Sequence, residues 1–433
     1  MKTEEMVMRK VLKGSFALLL ILGLIGFIIY YIWQWYKIPS QIFLEENKNE
    51  ILFFHAPVTC ELYRDKTIKE DGNIPVHSEL LNAKKYELNE AVPLTVRRGE
   101  SYLAELKFFG IFPYKTVEIS SGERQYFYPL GDPIGIYIKI DGVMVIDIGS
   151  FINDMNEEVA PCKNILEIGD YITAINGVPI TKKSEFVECI DDSKGNVISL
   201  TVKRDETELT FPLQAQKTSN GEYKLGIWIR DSLQGIGTMT AMTEDGHFMA
   251  LGHGISDFDT GEVVDLAYGR LYKTSILAIT NGKKGEPGEL NGVIQYQKEN
   301  IVGDVTANTE QGISGVLKNT DLFGEKKEPL PIAYKQDVQK GEAWIYSDLE
   351  QEGKRYKINI TELRYDTVDH KKGIVFDVVD GDLLDYTGGI VQGMSGSPVI
   401  QNGRIIGAVT HVLVNDPTKG YAIFIENMLE HDN

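Results

Sequence analysis

Apolar and polar residues follow four regimes along this chain. Between Gly14 and Tyr36 no charge occurs, and Leu18 to Leu22 and Ile25 to Trp33 are almost wholly apolar, about the twenty residues that a bilayer-spanning helix needs. No polar face breaks the run, which sets it apart from a helix buried in a soluble core. From Gln41 to about Glu123 apolar and polar residues alternate in short stretches such as Leu94-Thr95-Val96 and Tyr102-Leu103-Ala104-Glu105-Leu106, a period of two that predicts a small β-rich module over 41–123. Over 128–216 the pattern changes. A strand opens at Ile134-Gly135-Ile136 and runs to Ile140, Asn176-Gly177 marks a hairpin between two apolar strands, and Ile198, Leu200 and Val202 alternate as a closing strand. Between them Phe186 and Ile190 share one face of a short helix that Ser184 can cap. From Leu225 onward, short strands such as Ile227-Trp228-Ile229 and Gly237-Thr238-Met239-Thr240 dominate, and Asn402-Gly403 joins Pro398-Val399-Ile400 to Ile405-Ile406-Gly407-Ala408-Val409 as a two-residue hairpin. The reading is a mainly β protein, with a transmembrane helix over 14–36, two modules, and a β domain over 225–433 built as a double barrel.

Length and charge narrow this picture. A chain of 433 residues suffices for two or three domains with separate cores. A net charge of -19 excludes a nucleic-acid partner, because phosphate binding rests on clustered Lys and Arg. Cys60, Cys162 and Cys189 are widely spread, fit no zinc spacing, and read as small apolar residues. His55 and His77 stand alone in the first module, where no chemistry is apparent. Arg9, Lys10 and Lys13 precede the apolar run, and Lys37 with Pro39 follows it. The positive-inside rule then holds residues 1–13 in the cytoplasm and puts the bulk of the chain across the membrane, with Tyr30, Tyr31, Trp33, Trp35 and Tyr36 as an interfacial belt. A cleaved signal peptide is the competing reading, but the apolar stretch is long and no small-x-small site follows it, which favours a retained anchor.

The 128–216 module resembles a PDZ domain. Ile165-Leu166-Glu167-Ile168-Gly169-Asp170-Tyr171-Ile172, then Ala174-Ile175-Asn176-Gly177, is similar to the L-x-x-G-D-x-I-x-x-I-N-G run of that family. The resemblance implies a peptide or C-terminal ligand. Its carboxylate would meet backbone N–H groups at Ile134, Gly135 and Ile136, and its side chains a groove lined by Phe186 and Ile190. Those same apolar positions also serve as a plain core.

Candidate chemistry concentrates near the C-terminus, in Gly393-Met394-Ser395-Gly396-Ser397-Pro398. A serine between two glycines can sit on a tight turn whose Gly393 and Ser395 N–H groups converge as an oxyanion hole, although Gly, Ser and Pro also make ordinary turns. A nucleophilic serine needs a base, and the domain holds His247, His253, His370, His411 and His431. His253 stands out, in Leu251-Gly252-His253-Gly254-Ile255-Ser256-Asp257, where an apolar strand ends in a glycine-flanked imidazole. For the acid that would orient it, Asp366, Asp377, Asp380, Asp382 and Asp385 remain open, and Asp380-Gly381 is also a turn signal. The order His, acid, Ser excludes the α/β-hydrolase order, and the turn lacks the last glycine of the G-x-S-x-G elbow. Both features resemble chymotrypsin-like serine proteases. Their acyl-transfer chemistry requires no metal and no cofactor. Met394 rather than Asp precedes the serine, so activation by a new N-terminal ammonium pairing there is not available. His411, sixteen residues after Ser395, falls on the strand that should flank the primary specificity pocket.

Together with Phe109-Gly110-Ile111-Phe112-Pro113-Tyr114-Lys115-Thr116-Val117, the histidine segment and the run from Thr387 to Asp416 resemble the SpoIVB peptidase family of endospore-forming bacteria. The resemblance spans anchor, PDZ and protease in that order. It implies His253 as base, Ser395 as nucleophile and Asp380 as acid, and an activity governed by the PDZ module or by self-cleavage near the anchor, which can release the protein. It further implies a sporulation role: the protein crosses the inner forespore membrane, lies in the intermembrane space, and cuts a membrane-associated regulator so that a mother-cell sigma factor is activated. Two alternatives are an HtrA-like quality-control protease, against which the PDZ module's position before the protease counts, and a membrane-tethered PDZ adaptor with a dead protease domain.

Overall fold

The computed structural model describes residues 2–52, 57–65, 79–80, 86–87, 92–97, 100–205, 207–320, 328–349, 353–365 and 367–429. His55, His77, Asp366 and His431 lie outside the described residues. The chain divides into two compact units, Met1–Gln125 with Ala333–Gln339 and Glu362–Asp369, and Tyr126–Ile332 with Lys340–Thr361 and His370–Asn433.

In the first unit a single helix runs Lys2–Trp35, so the basic residues that precede the apolar run are helical too. Its Leu18–Trp35 stretch has a mean hydropathy of 2.0 and is long enough to cross a bilayer. The expected β module follows. Gln41–Glu45 pairs in parallel with Phe112–Gly122, which pairs antiparallel with Ser101–Phe108 and that in turn with Val58–Asp65. In Ser101–Phe108 every second side chain is buried, the period-two pattern that the sequence displays. A later segment completes this unit: Arg124 pairs with Glu45 at 2.5 Å and with Asp337 at 2.7 Å, and Phe43 stacks on Tyr334 with ring centroids 4.1 Å apart.

The second unit contains two closed barrels. Six strands close the first: Pro133–Ile148, Leu266–Thr280, Ile301–Thr309, Gly312–Leu317, His247–Ala250 and Ile227–Met242, the last pairing back with Pro133–Ile148. Six others close the second, in the order Gly341–Ser347, Lys354–Leu363, Ile374–Val378, Asp416–Phe424, Arg404–Leu413 and Pro398–Gln401. Asn402 and Gly403 both take positive φ, the backbone of the predicted two-residue hairpin.

The PDZ-like module is an insertion in the first barrel. Pro133–Ile148 and Ile227–Met242 run antiparallel over nearly their whole length. Their outer ends carry the added strands Tyr171–Ile175, Val197–Arg204 and Thr207–Gln214 and the helix Lys183–Asp192, around a separate core that includes Val143, Ile172, Leu200 and Ile229. The boundary expected between 216 and 225 is therefore corrected. Residues 133–140, assigned from sequence to the inserted module, form a wall of the barrel, because their apolar side chains meet Met239, Leu251 and Leu271 in its core. Ser184 is not the helix cap. The N-cap is Lys182, and Glu185 reaches back to the N–H groups of Thr181 and Lys182 at 3.0 and 3.1 Å. Burial pushes the thiols of Cys60 and Cys162 up to about 12, as small apolar residues in a core, whereas Cys189 is only half-buried.

A chain beginning at Leu225 lacks the 133–140 wall of the first barrel. It is expected to show no cooperative thermal transition, while a chain beginning at Gln125 melts cooperatively. Circular dichroism melting that finds both cooperative would restore the boundary at 225.

Candidate active site

His253 and Ser395 come from different barrels. His247–Ala250 ends in Leu251 and Gly252, both at φ +71, so the chain leaves the barrel wall abruptly and delivers His253 to the space between barrels. Gly254 has no room for a side chain, since a Cβ there would collide with the Thr309 carbonyl. A buried carboxylate secures the loop. Asp257 accepts from the N–H groups of Asp259 and Thr260 at 2.9 and 3.1 Å and pairs with Arg230 of the long Ile227–Met242 strand. Asn308 bridges the same loop, bonding the N–H and carbonyl of Ile255 and the Val264 carbonyl.

Ser395 lies on the turn that leads into Pro398–Gln401. Gly396 has φ +100, and a Cβ there would strike the Thr238 carbonyl oxygen, so only glycine fits. Thr238, on the first barrel, holds this turn twice: its N–H donates to the Ser395 carbonyl at 2.9 Å and its hydroxyl to the Gly393 carbonyl at 2.7 Å. With those carbonyls taken, the N–H groups of Gly393 and Ser395 have no protein acceptor among the described residues. Two unclaimed donors beside a serine hydroxyl suit a developing oxyanion.

His253, Ser395, Gly393 and His411 line one cavity of about 490 Å³. The Ser395 hydroxyl donates to the Thr410 carbonyl at 2.7 Å rather than to His253. The Nδ1 atom of His253 lies 2.9 Å from the Gly254 carbonyl. A carbonyl only accepts, so Nδ1 carries the proton of the neutral ring and Nε2 keeps its lone pair. Burial lowers the His253 imidazole below its ordinary value, and the Lys371 charge adds to this, against the opposing pull of the Gly254 carbonyl and Glu310. The base is therefore held neutral. The His411 ring lies 5.4 Å from that of His253, on the cavity wall.

The expected acid stands at a helix start. Asp380 caps the helix Gly381–Thr387, accepting from Leu383 N–H at 3.2 Å, and its second oxygen accepts from Lys357 N–H at 3.0 Å. Each oxygen thus accepts one backbone N–H, as a helix-capping aspartate does, and keeps a further lone pair. No carboxylate among the described residues bonds His253, and the Gly254 carbonyl occupies that place.

The expected peptide contacts of the inserted module are also corrected. Ile134, Gly135 and Ile136 are paired on both edges, with Gly235–Gly237 and with Leu271–Lys273, and a strand without a free edge cannot accept another. Ile136 instead lines the catalytic cavity. Phe186 and Ile190 point into the module's own core, with exposures of 5% and 3%, while Val187 on the same helix is 54% exposed. The free edge lies elsewhere. Residues 227–230 pair only with 144–148 among the described residues. The Lys183–Asp192 helix flanks this segment, with Lys183 N–H donating to Asp231 at 3.0 Å and Tyr223 N–H to Asp191 at 3.2 Å. Leu225-Gly226-Ile227, with Gly226 at φ +71, opens that edge. Its apolar-Gly-apolar signal equals that of Ile134-Gly135-Ile136, and only strand pairing separates the two.

Residues 221–429 match the family described as SpoIVB peptidase S55, and this domain is a serine peptidase. No curated protein matches the chain. Among solved structures it is similar to the PDZ domain of an SdrC-like protein from Listeria monocytogenes, at 23% identity over 21% of this chain and 87% of that one, TM-score 0.18. It is also similar to the Rv3671c protease from M. tuberculosis in its active form, at 16% identity over 46% and 73% of the two chains, TM-score 0.24. A third is the HtrA-type protease AlgW with a decapeptide, at 10% identity over 50% and 55%, TM-score 0.27.

NMR titration of the imidazoles should find His253 titrating below the ordinary value of about 6.5, both in the native chain and in Asp380→Asn. Asp380→Ala should cost about 1 kcal/mol of stability as a lost helix cap. A shifted His253 titration in Asp380→Asn would return that carboxylate to the imidazole.

Proposed function

We propose, on the premise that residues 221–429 form a SpoIVB peptidase S55 domain, that this chain is a membrane-anchored serine endopeptidase of sporulation. It cuts a membrane-associated regulatory protein, and itself, to trigger sigma-factor activation across a compartment boundary. One observation carries the catalytic half of this reading. Ser395, the neutral imidazole of His253 and the unclaimed Gly393 and Ser395 N–H groups border a single cavity. The apolar Leu18–Trp35 helix supports the anchor, and the family supports the sporulation role.

Chemistry follows from those positions. The Ser395 hydroxyl turns from the Thr410 carbonyl to Nε2 of His253, which takes its proton as Oγ attacks the scissile carbonyl. The resulting oxyanion is held by the Gly393 and Ser395 N–H groups, and His253 returns the proton to the leaving amine. Water, activated by the same Nε2, then releases the acyl group. Through the imidazolium stage Nδ1–H stays on the Gly254 carbonyl, which keeps the ring oriented without a carboxylate. His411 is proposed to shape the substrate cleft at the cavity wall. The peptide partner of the inserted module adds as a strand to the open edge of residues 227–230, its C-terminal carboxylate at Leu225-Gly226-Ile227.

In membrane-reconstituted full-length protein, the wild type is expected to yield self-cleavage fragments and Ser395→Ala none. Fragments that persist in Ser395→Ala would remove the serine assignment, and absence of cutting by either form, on a candidate membrane substrate as well, would favour the adaptor. Gly226→Val strains a positive-φ turn and is expected to weaken binding of C-terminal peptides about tenfold or more, measured by fluorescence anisotropy, with fluorophosphonate labelling of Ser395 unchanged.

A further inference from the structure

Within the first unit, the hairpin that joins Ser101–Phe108 to Phe112–Gly122 is apolar at its tip. From Phe108 to Tyr114 no residue is charged, and Phe109, Ile111 and Phe112 are 55%, 73% and 52% exposed. Phe109 has φ +50, a left-handed backbone where glycine or asparagine is the local choice, so an aromatic ring is kept there against a conformational cost. The backbone of the tip is nonetheless satisfied. The N–H groups of Phe109, Gly110 and Ile111 donate to the carbonyls of Pro57, Lys107 and Phe108 at 2.8, 3.1 and 3.2 Å. Apolar side chains on a backbone with its donors paired suit a medium without water.

The contacts of this hairpin with the apolar helix say which medium that is. Lys115, at the hairpin's base, bonds the Ile38 carbonyl and lies over the Trp35 ring at 5.3 Å. Nearer the tip, the Tyr114 ring meets those of Trp35 and Tyr31 at 5.4 and 4.9 Å, and the Tyr31 hydroxyl donates to the Pro113 carbonyl at 2.9 Å. Phe108, paired across the hairpin with Phe112, meets Tyr31, Tyr30 and Phe27 at 5.3, 6.1 and 6.1 Å. Each step toward the tip is thus a step back along the helix, into the Leu18–Trp35 stretch. Phe27 lies about 12 Å along the axis from Trp35 and about one turn below the aromatic belt that opens at Tyr30.

From this register we infer that Phe109, Ile111 and Phe112 insert into the bilayer leaflet that the helix leaves, as a second membrane contact beside the helix. Their partner is the acyl-chain boundary of the lipid, where exposed aromatic and aliphatic side chains gain burial. Helix and hairpin then hold the first unit at two points and fix its orientation, whereas the helix alone would leave it free to swivel. The inference rests on Leu18–Trp35 being a retained anchor.

The test uses full-length protein in phosphatidylcholine vesicles that contain a lipid with a diazirine on one acyl chain. After photolysis and digestion, lipid adducts are located by mass spectrometry. Adducts are expected on Leu18–Trp35 and on residues 108–114, the latter at least about tenfold above those on Val178 and Val197, which are exposed apolar residues of the inserted module. Adducts on the helix with residues 108–114 no higher than Val178 and Val197 overturn the hairpin inference and leave the anchor intact. No adducts on the helix overturn both. Ile111→Asp should cut the adducts on residues 108–114 about tenfold while leaving those on the helix, and an undiminished yield would mean that the tip does not enter the lipid.

Discussion

Thr238 ties the two barrels together at the point where the chemistry is assembled. Its N–H and hydroxyl hold the carbonyls of Ser395 and Gly393, and its own carbonyl accepts from Leu251 N–H at 3.3 Å, two residues before His253. One buried residue therefore holds both the nucleophile turn and the strand end that carries the base. The glycine at 396 follows from the same constraint, because the Thr238 carbonyl occupies the space of its Cβ. Buried backbone groups must be paired, and here the pairing crosses between domains instead of closing within one.

Thr238 also belongs to one of the two 16-residue strands of the second unit. Ile227–Met242 begins at the open edge of the inserted module, passes Arg230 with its bond to Asp257 in the histidine loop, borders the catalytic cavity at Leu233 to Ile236, and ends in the first barrel. Its antiparallel partner Pro133–Ile148 makes the same journey in reverse. Asp231 stands where module and barrel meet, bonded to Lys139 at 2.7 Å and to the first N–H of the module's helix. Its carboxyl is held below the usual range, since its bonds to Lys139 and to Lys183 N–H outweigh the burial that would raise it. Module and protease are thus joined by two continuous strands and a charged knot, a far stiffer connection than a linker.

The site itself is arranged around an imidazole kept neutral by burial and oriented by a main-chain carbonyl. Such a carbonyl fixes the tautomer as a carboxylate would, but brings no charge to stabilise the imidazolium. The candidate carboxylate caps a helix, a role that aspartate commonly takes at the position before a helix start.

Much was legible in the sequence because it depends on local rules. The apolar run before Lys37, the period-two alternation of the first module, the Asn-Gly hairpins at 176 and 402, and the two glycine-framed segments around His253 and Ser395 each express a backbone or burial preference that a few adjacent residues determine. The tertiary structure alone decided which strands become neighbours. Ile134-Gly135-Ile136 and Leu225-Gly226-Ile227 present the same local signal, and only long-range pairing leaves one sealed in a barrel and the other at an open edge. Likewise only the fold shows that Asp380, the acid the family resemblance implies, is also a helix cap. Strand partnership and side-chain proximity are non-local, so neither the insertion of one module into the other's barrel nor the partner of an imidazole can be read from spacing along the chain.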